Sequence, residues 1–150
     1  MDKKNLYKQE VHKECLDRID QISQDTQPQW GKMSAAQMFA HCAEIQEVTN
    51  GRELKGTPFI VKLFKGFIKK MVLSEKPYPK STQTHPQYKQ QNDKDFEEEK
   101  ARLKKALQNF VDNESRAEEI KHTLFGTMSR EEKGWAMYKH LDHHLTQFGV

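Results

Sequence analysis

The sequence predicts an all-α protein, a four-helix bundle with one additional short helix. Apolar residues recur at spacings of three and four, which is the period of an amphipathic helix. Two Ser-x-x-Gln/Glu capping boxes, Ser34 with Gln37 and Ser129 with Glu132, mark helix starts. No segment shows the alternation of a strand. A chain of 150 residues has the usual size of one domain, so we expect a single domain over 1–150.

The first two helices have clear apolar faces. We predict the first over about residues 4–23, with an apolar line of Val11, Cys15, Ile19 and Ile22. The second is predicted to begin after Ser34 and to stop at Gly51, since glycine commonly follows the last residue of a helix.

The third helix is predicted over 57–73, with Thr57 as N-cap and Pro58 at the first helical position. Phenylalanines and aliphatic residues share this segment with four lysines, which are Lys62, Lys65, Lys69 and Lys70. We expect a packed helix with a solvated lysine face. A lid over a metal cleft, a dimer contact and attachment to an anionic membrane surface are the alternatives.

Two more helices complete the bundle. Prolines at 77, 79 and 86 predict a loop before the fourth helix, which we place at 93–111. Its apolar residues are Phe96, Leu103, Leu107 and Phe110. The last helix is predicted over 129–148, with Gly149 as the stop.

Composition limits the function classes. The 25 basic and 22 acidic residues give a net charge of +3, and most of them alternate along helix faces, which argues against nucleic-acid binding. The two cysteines lack a paired spacing and are expected to be reduced and buried. We find neither an N-terminal apolar leader nor the ~18 apolar residues of a membrane span, so a cytoplasmic protein is expected.

The histidines give the main functional signal. His140 and His144 are four residues apart, which places them on one face of the last helix with Cβ atoms about 6 Å apart. That face carries apolar residues, so the pair is directed toward the core, where a metal would satisfy the imidazole lone pairs. A third ligand is expected on another helix, and His41 is the candidate because it lies within the apolar arc of the second helix.

Two stretches, WGKMSAAQMFAHC and HLDHHLTQFG, resemble the DinB-like (DinB/YfiT) superfamily of metal-binding bundles. The closest resemblance is to its subfamily of unknown function with a C-terminal KHLDHHLxQFG-like motif. The resemblance implies a four-helix bundle with one divalent metal ion, zinc or nickel, held by His41, His140 and His144. It also implies a metal-dependent enzyme, either a thiol-dependent transferase or a hydrolase, acting on a small-molecule substrate with a low-molecular-weight thiol as a candidate partner.

Residues near these histidines leave alternatives open. Glu44, one turn after His41, is the candidate catalytic carboxylate, although a solvated glutamate explains it as well. Gln147 either orients His140 or caps the C-terminus of its helix. The alternative functions are a non-catalytic metal-binding bundle, with Glu44 or Cys42 as a fourth ligand, and a helical interaction module whose histidines are core polar groups. A homodimer is also an expectation.

Overall fold

The computed structural model describes residues 3–150, and these form an all-helical protein. Residues 3–150 contain six α-helices, which are α1 (Gln9–Gln21), α2 (Ala35–Thr49), α3 (Phe59–Leu63), α4 (Lys65–Leu73), α5 (Phe96–Asp112) and α6 (Arg130–Gln147). Two 3-10 turns, Pro86–Tyr88 and Glu114–Arg116, lie in the connections. Within this described range, no helix combines the length and apolarity needed to cross a bilayer.

The four long helices enclose the core. α1 contacts α5 and α6, and α2 also contacts α5 and α6. Phe39 of α2, Leu107 of α5 and Leu145 of α6 are completely buried between them. The rings of Tyr7 and Phe110 stack at 4.1 Å between centroids. Burial of large side chains from every long helix is the main force that holds this arrangement together.

Both predicted capping boxes are present, and each fixes the start of a helix that carries histidine. In α2 the Ser34 hydroxyl accepts from the backbone N–H of Gln37 at 3.2 Å, and the Gln37 side chain accepts from the Ser34 N–H at 3.0 Å. Ser129 and Glu132 make the equivalent pair before α6 at 3.1 and 2.9 Å. These bonds satisfy backbone donors that a helix start otherwise leaves free.

The first helix starts at Gln9, later than predicted, because the preceding residues pack against α6. The Asn5 side chain accepts from the backbone N–H of Tyr7 at 2.9 Å, and the Leu6 N–H donates to the Gly134 carbonyl at 3.0 Å. Both bonds commit the chain to a turn and prevent the helix from starting at residue 4. The turn lies so close to α6 that a Cβ on Gly134 would be 2.0 Å from the Asn5 side-chain oxygen.

The single helix predicted over 57–73 is wrong, because the segment forms two helices that meet at Phe64. That residue has φ −99 and ψ 13, outside the geometry of a continuous α-helix. Pro58, and not Thr57, occupies the N-cap position of α3. Every residue of α3 and α4 is at least partly exposed, and only the end of α4, through Val72 and Leu73, packs against the core, so the predicted packed helix is present in α4 and absent in α3. Because α3 has few contacts with the core, no packing holds α3 and α4 together as one straight helix.

The end of α4 is fixed by α6. The indole N–H of Trp135 donates to the Leu73 carbonyl at 3.1 Å, and the Lys139 ammonium donates to the carbonyls of Met71 and Ser74 at 3.0 and 2.9 Å. A cation at the carbonyl end of a helix is favourable, and here it compensates for burying Lys139. The last turn of α4 is thereby tied to the helix that also carries His140 and His144.

Candidate metal centre

Three histidines from two helices converge in the core. His41 lies on α2, whereas His140 and His144 lie one turn apart on α6. One ring nitrogen from each residue lies within 4.8 Å of the other two, so the cluster could hold a metal ion. His41 and His144 are buried, and His140 is partly buried.

The spacing of the donor atoms fits a small divalent ion. The Nε2 atoms of His41 and His140 are 3.2 Å apart. Two Zn–N bonds of ~2.0–2.1 Å that meet at a tetrahedral angle place their nitrogens about 3.3 Å apart. Imidazole also suits nickel, copper and iron, so the donor set fits a divalent metal without selecting one.

His41 is oriented by a backbone carbonyl. Its Nδ1 lies 2.8 Å from the carbonyl oxygen of Tyr88, which lies in the connection between α4 and α5. A carbonyl only accepts hydrogen bonds, so Nδ1 carries the proton and Nε2 of the neutral ring keeps its lone pair. Metal-ligating histidines usually donate their second N–H in this way, because the bond fixes both the tautomer and the ring orientation.

His144 is oriented by Gln147, one turn further along α6. Its Nδ1 lies 2.8 Å from the side-chain oxygen of Gln147, whose amide nitrogen donates to the Trp30 carbonyl at 2.7 Å. The Trp30 carbonyl fixes which end of the amide faces His144, so Nδ1 of His144 is the donor and its Nε2 keeps the lone pair. Gln147 therefore orients His144, and the alternative in which it orients His140 is wrong.

The imidazoles are held in their neutral form, which is the form that binds metal. Burial lowers the pKa of His144 to about 3 and lowers the pKa of His41. Burial, together with the neighbouring histidines, holds the pKa of His140 well below its usual value. Burial therefore favours the neutral rings, and His41 and His144 each keep an Nε2 lone pair for a metal ion.

Aromatic residues that the sequence reasoning missed border the histidines. The Trp30 and Tyr78 rings each lie 5.7 Å from the His143 ring, and Tyr78 lies 6.5 Å from that of His140. The buried indole N–H of Trp30 has no hydrogen-bond partner within residues 3–150. Both aromatic residues belong to connections between helices, where helical periodicity gives no signal.

Glu44 lies on α2 one turn beyond His41, but its carboxylate binds other groups. One oxygen accepts from the Gln87 amide at 2.8 Å, and the other accepts from Arg102 at 2.6 Å and Arg52 at 3.0 Å. Gln87 directly precedes Tyr88, whose carbonyl orients His41. The carboxylate thus fixes the turn that positions the first histidine.

The other predicted features fall where the sequence suggested. Cys42 and Cys15 are buried free thiols. The Cys42 thiol contacts the Met38 sulfur at 3.7 Å, and burial raises its pKa, which makes it an inert core residue. His85 and His122 lie in connections, away from the three-histidine cluster.

The chain matches the model of a family described as a protein of unknown function, DUF1569, over residues 1–149, and it belongs to that family. Comparisons with curated proteins and with solved structures gave no significant match.

Proposed function

We propose that the chain is a DinB-like four-helix bundle in which His41, His140 and His144 bind one divalent ion, zinc or nickel. The observation that carries the proposal is the pair of outer hydrogen bonds, His41 to Tyr88 and His144 to Gln147. Both bonds place the ring proton on Nδ1 and leave an Nε2 lone pair for the metal. The α1, α2, α5 and α6 contacts support the bundle architecture.

An open coordination position is also part of the proposal. Glu44 and Cys42 were the candidates for a fourth protein ligand, but Glu44 is paired with two arginines and Cys42 contacts Met38. A divalent ion held by three neutral imidazoles acts as a Lewis acid toward an added ligand such as water or a thiolate. This chemistry supports a metal-dependent enzyme, either a transferase that uses a low-molecular-weight thiol or a hydrolase.

The small-molecule substrate would approach through the aromatic border of the site. Trp30, Tyr78 and His143 lie beside the ligands, and the Lys80 ammonium lies 4.4 Å from the Trp30 ring centroid. The buried indole N–H of Trp30 has no partner among the described residues, so it could donate to a bound molecule only after a local opening of the Trp30 side chain. These groups would orient a substrate and limit the access of water.

Cobalt substitution tests the ligands and the open position together. We expect wild-type protein loaded with Co²⁺ to show the visible d–d bands of a low-symmetry site, and added low-molecular-weight thiol to produce a thiolate-to-cobalt charge-transfer band. His41→Ala should lose the d–d bands, whereas His12→Ala, a matched change outside the cluster, should retain them. An unchanged spectrum on addition of thiol would contradict the transferase assignment, and absence of d–d bands would overturn the metal site.

Glu44 fits a positioning role better than the role of general base, because two guanidiniums neutralise its carboxylate. Glu44→Gln keeps the shape of the side chain but weakens the ion pairs, so the turn before Tyr88 should loosen and metal affinity should fall. A general base would leave metal affinity unchanged and affect only turnover. Chelator competition on this variant separates the two roles.

A polar core without metal is the second candidate. It is favoured by the 3.2 Å contact between the Nε2 atoms of His41 and His140, which is also a hydrogen-bond distance. In that case the protein is a helical interaction module, and His140→Ala changes stability but abolishes no metal binding.

A further inference from the structure

The segment from Lys55 to Ser74, which contains α3 and α4, exposes an unusual amount of apolar surface. Five of its large apolar side chains retain between 52% and 78% of their accessible surface, and they are Phe59, Ile60, Leu63, Phe64 and Phe67. With ~200 Å² for each fully exposed side chain, the patch amounts to on the order of 600 Å². Patches of this size on a monomer usually mark a surface that binds something.

The same segment is strongly basic. It carries five lysines and no acidic residue, and they are Lys55, Lys62, Lys65, Lys69 and Lys70. Since the whole chain has a net charge of +3, the remaining residues together carry a net −2. The net positive charge of the protein therefore comes from this segment, beside the exposed apolar patch.

The folded domain holds both ends of the segment. Leu54, immediately before it, is buried, and its backbone N–H donates to the Thr123 hydroxyl at 3.2 Å. At the other end, the α4 carbonyls accept from Lys139 and Trp135. Between these anchors, α3 and α4 contain no buried residue, and the five exposed apolar side chains lie in solvent.

We propose that the Lys55–Ser74 segment docks the protein on anionic lipid bilayers, with its phenylalanines in the interface and its exposed lysines, Lys62, Lys65 and Lys70, at the headgroups, while Lys69 stays bound to the Thr127 carbonyl. Phenylalanine and leucine inserted among headgroups, with lysines beside them, are the features of interfacial helices. Each lysine near an anionic surface adds to the attraction. A second copy of this chain is a poor occupant, because it would oppose two segments that each carry five lysines and no acid.

Vesicle co-sedimentation tests the proposal with the intact protein. We expect binding to vesicles of phosphatidylcholine with about a quarter phosphatidylglycerol, weaker binding in high salt, and little binding to phosphatidylcholine alone. Phe59→Ser/Phe67→Ser should reduce binding roughly tenfold or more. Lys65→Gln/Lys70→Gln should reduce it to a similar extent. Lys105→Gln/Lys121→Gln, which makes the same charge change at exposed lysines elsewhere, should bind like wild type.

A second measurement reports directly on insertion. Phe67→Trp places an indole in the apolar patch, and its emission should shift to the blue and be quenched by brominated lipid in anionic vesicles. Equal sedimentation of wild type and the phenylalanine variant would overturn the proposal. So would a stable dimer in light scattering that Phe59→Ser/Phe67→Ser dissociates, because the patch would then be a contact between copies. Metal binding is measured separately, and its loss or retention does not alter these outcomes.

Discussion

Replacing Gln147 should weaken metal binding without abolishing the fold. Gln147→Met keeps the length of the side chain but removes the acceptor for Nδ1 of His144 and the donor for the Trp30 carbonyl. His144 can then place its proton on Nε2, which blocks ligation, or turn away from His41. Either change has to be reversed before the metal binds.

The structure sets the magnitude. Gln147 is 4% exposed, and both of its hydrogen bonds are short, at 2.8 and 2.7 Å. Loss of one partner that orients a ligand costs roughly 10- to 100-fold in metal affinity, which is about 1.4–2.7 kcal/mol. The two unmade bonds should also lower the free energy of unfolding of the metal-free protein by about 2 kcal/mol.

The assay is competition with a chromogenic zinc chelator, next to urea unfolding of the metal-free protein. Gln46→Met is the matched control, because Gln46 is 3% exposed and its amide nitrogen has no hydrogen-bond partner among the residues that the structure describes. It should bind zinc like wild type and be no less stable. Wild-type zinc affinity in Gln147→Met would refute the orienting role.

A second variant, Gly31→Ala, displaces the Gln147 amide by adding a Cβ to the neighbouring backbone. Gly31 has φ +82, and a Cβ there would lie 2.7 Å from the Gln147 amide nitrogen. Gly126 also has a positive φ, +68, but apart from its sequence neighbours no atom of the described chain lies within 4 Å of a Cβ added there. Alanine at either position should cost about 1–2 kcal/mol in backbone strain. Only Gly31→Ala should also weaken zinc binding, and equal effects on zinc from both would contradict this account.

Two further predictions concern stability. Gly134→Ala should lower the free energy of unfolding by about 1–2 kcal/mol, because the clash with the N-terminal turn outweighs the gain in helix propensity; Gly66→Ala, with open space around its Cβ, should be neutral or stabilising in the same urea titration. Burial lowers the pKa of His122 to about 4, below the ~6.5 of the unfolded chain. The contribution of the neutral ring to the free energy of unfolding is therefore complete above pH ~6.5 and declines as the pH falls toward 4. The loss between pH 7 and pH 5 is about 2 kcal/mol. His122→Asn can still accept from the N–H groups of the following loop, so its free energies of unfolding at pH 7 and pH 5, from urea titration, should differ by about 2 kcal/mol less than those of the wild type. An unchanged pH dependence would contradict the assignment.

Local chemistry explains why α2 and α6 were predicted well. Their capping boxes are formed within four residues, so the sequence contains all the information that fixes those helix starts. The position of His41 within the apolar arc of α2 predicts that it faces the core. The four-residue spacing of His140 and His144 predicts that they share one face of α6. These cues depend only on helical periodicity, which the core preserves.

The sequence was less informative where tertiary contacts decide the structure. The run FIVKLFKGFIKKMVL reads as one continuous helix, yet only its last turn is anchored, by Trp135 and Lys139, and it breaks at Phe64. The role of the Tyr88 carbonyl was invisible because any residue has a carbonyl. Gln147 was predicted either to orient His140 or to cap the helix, but a spacing of seven puts His140 two turns away, about 10.5 Å along the axis, whereas His144 is one turn away and donates to the Gln147 side-chain oxygen.

The measurement that bears most directly on the three-histidine site is the metal content of purified protein after reconstitution with zinc or nickel, next to a His140→Ala/His144→Ala variant. We expect about one equivalent of metal per chain in the wild type and none retained in the variant, with the helical circular dichroism signal preserved in both. Failure of the folded wild type to retain either ion, or equal retention by the variant, would contradict the site.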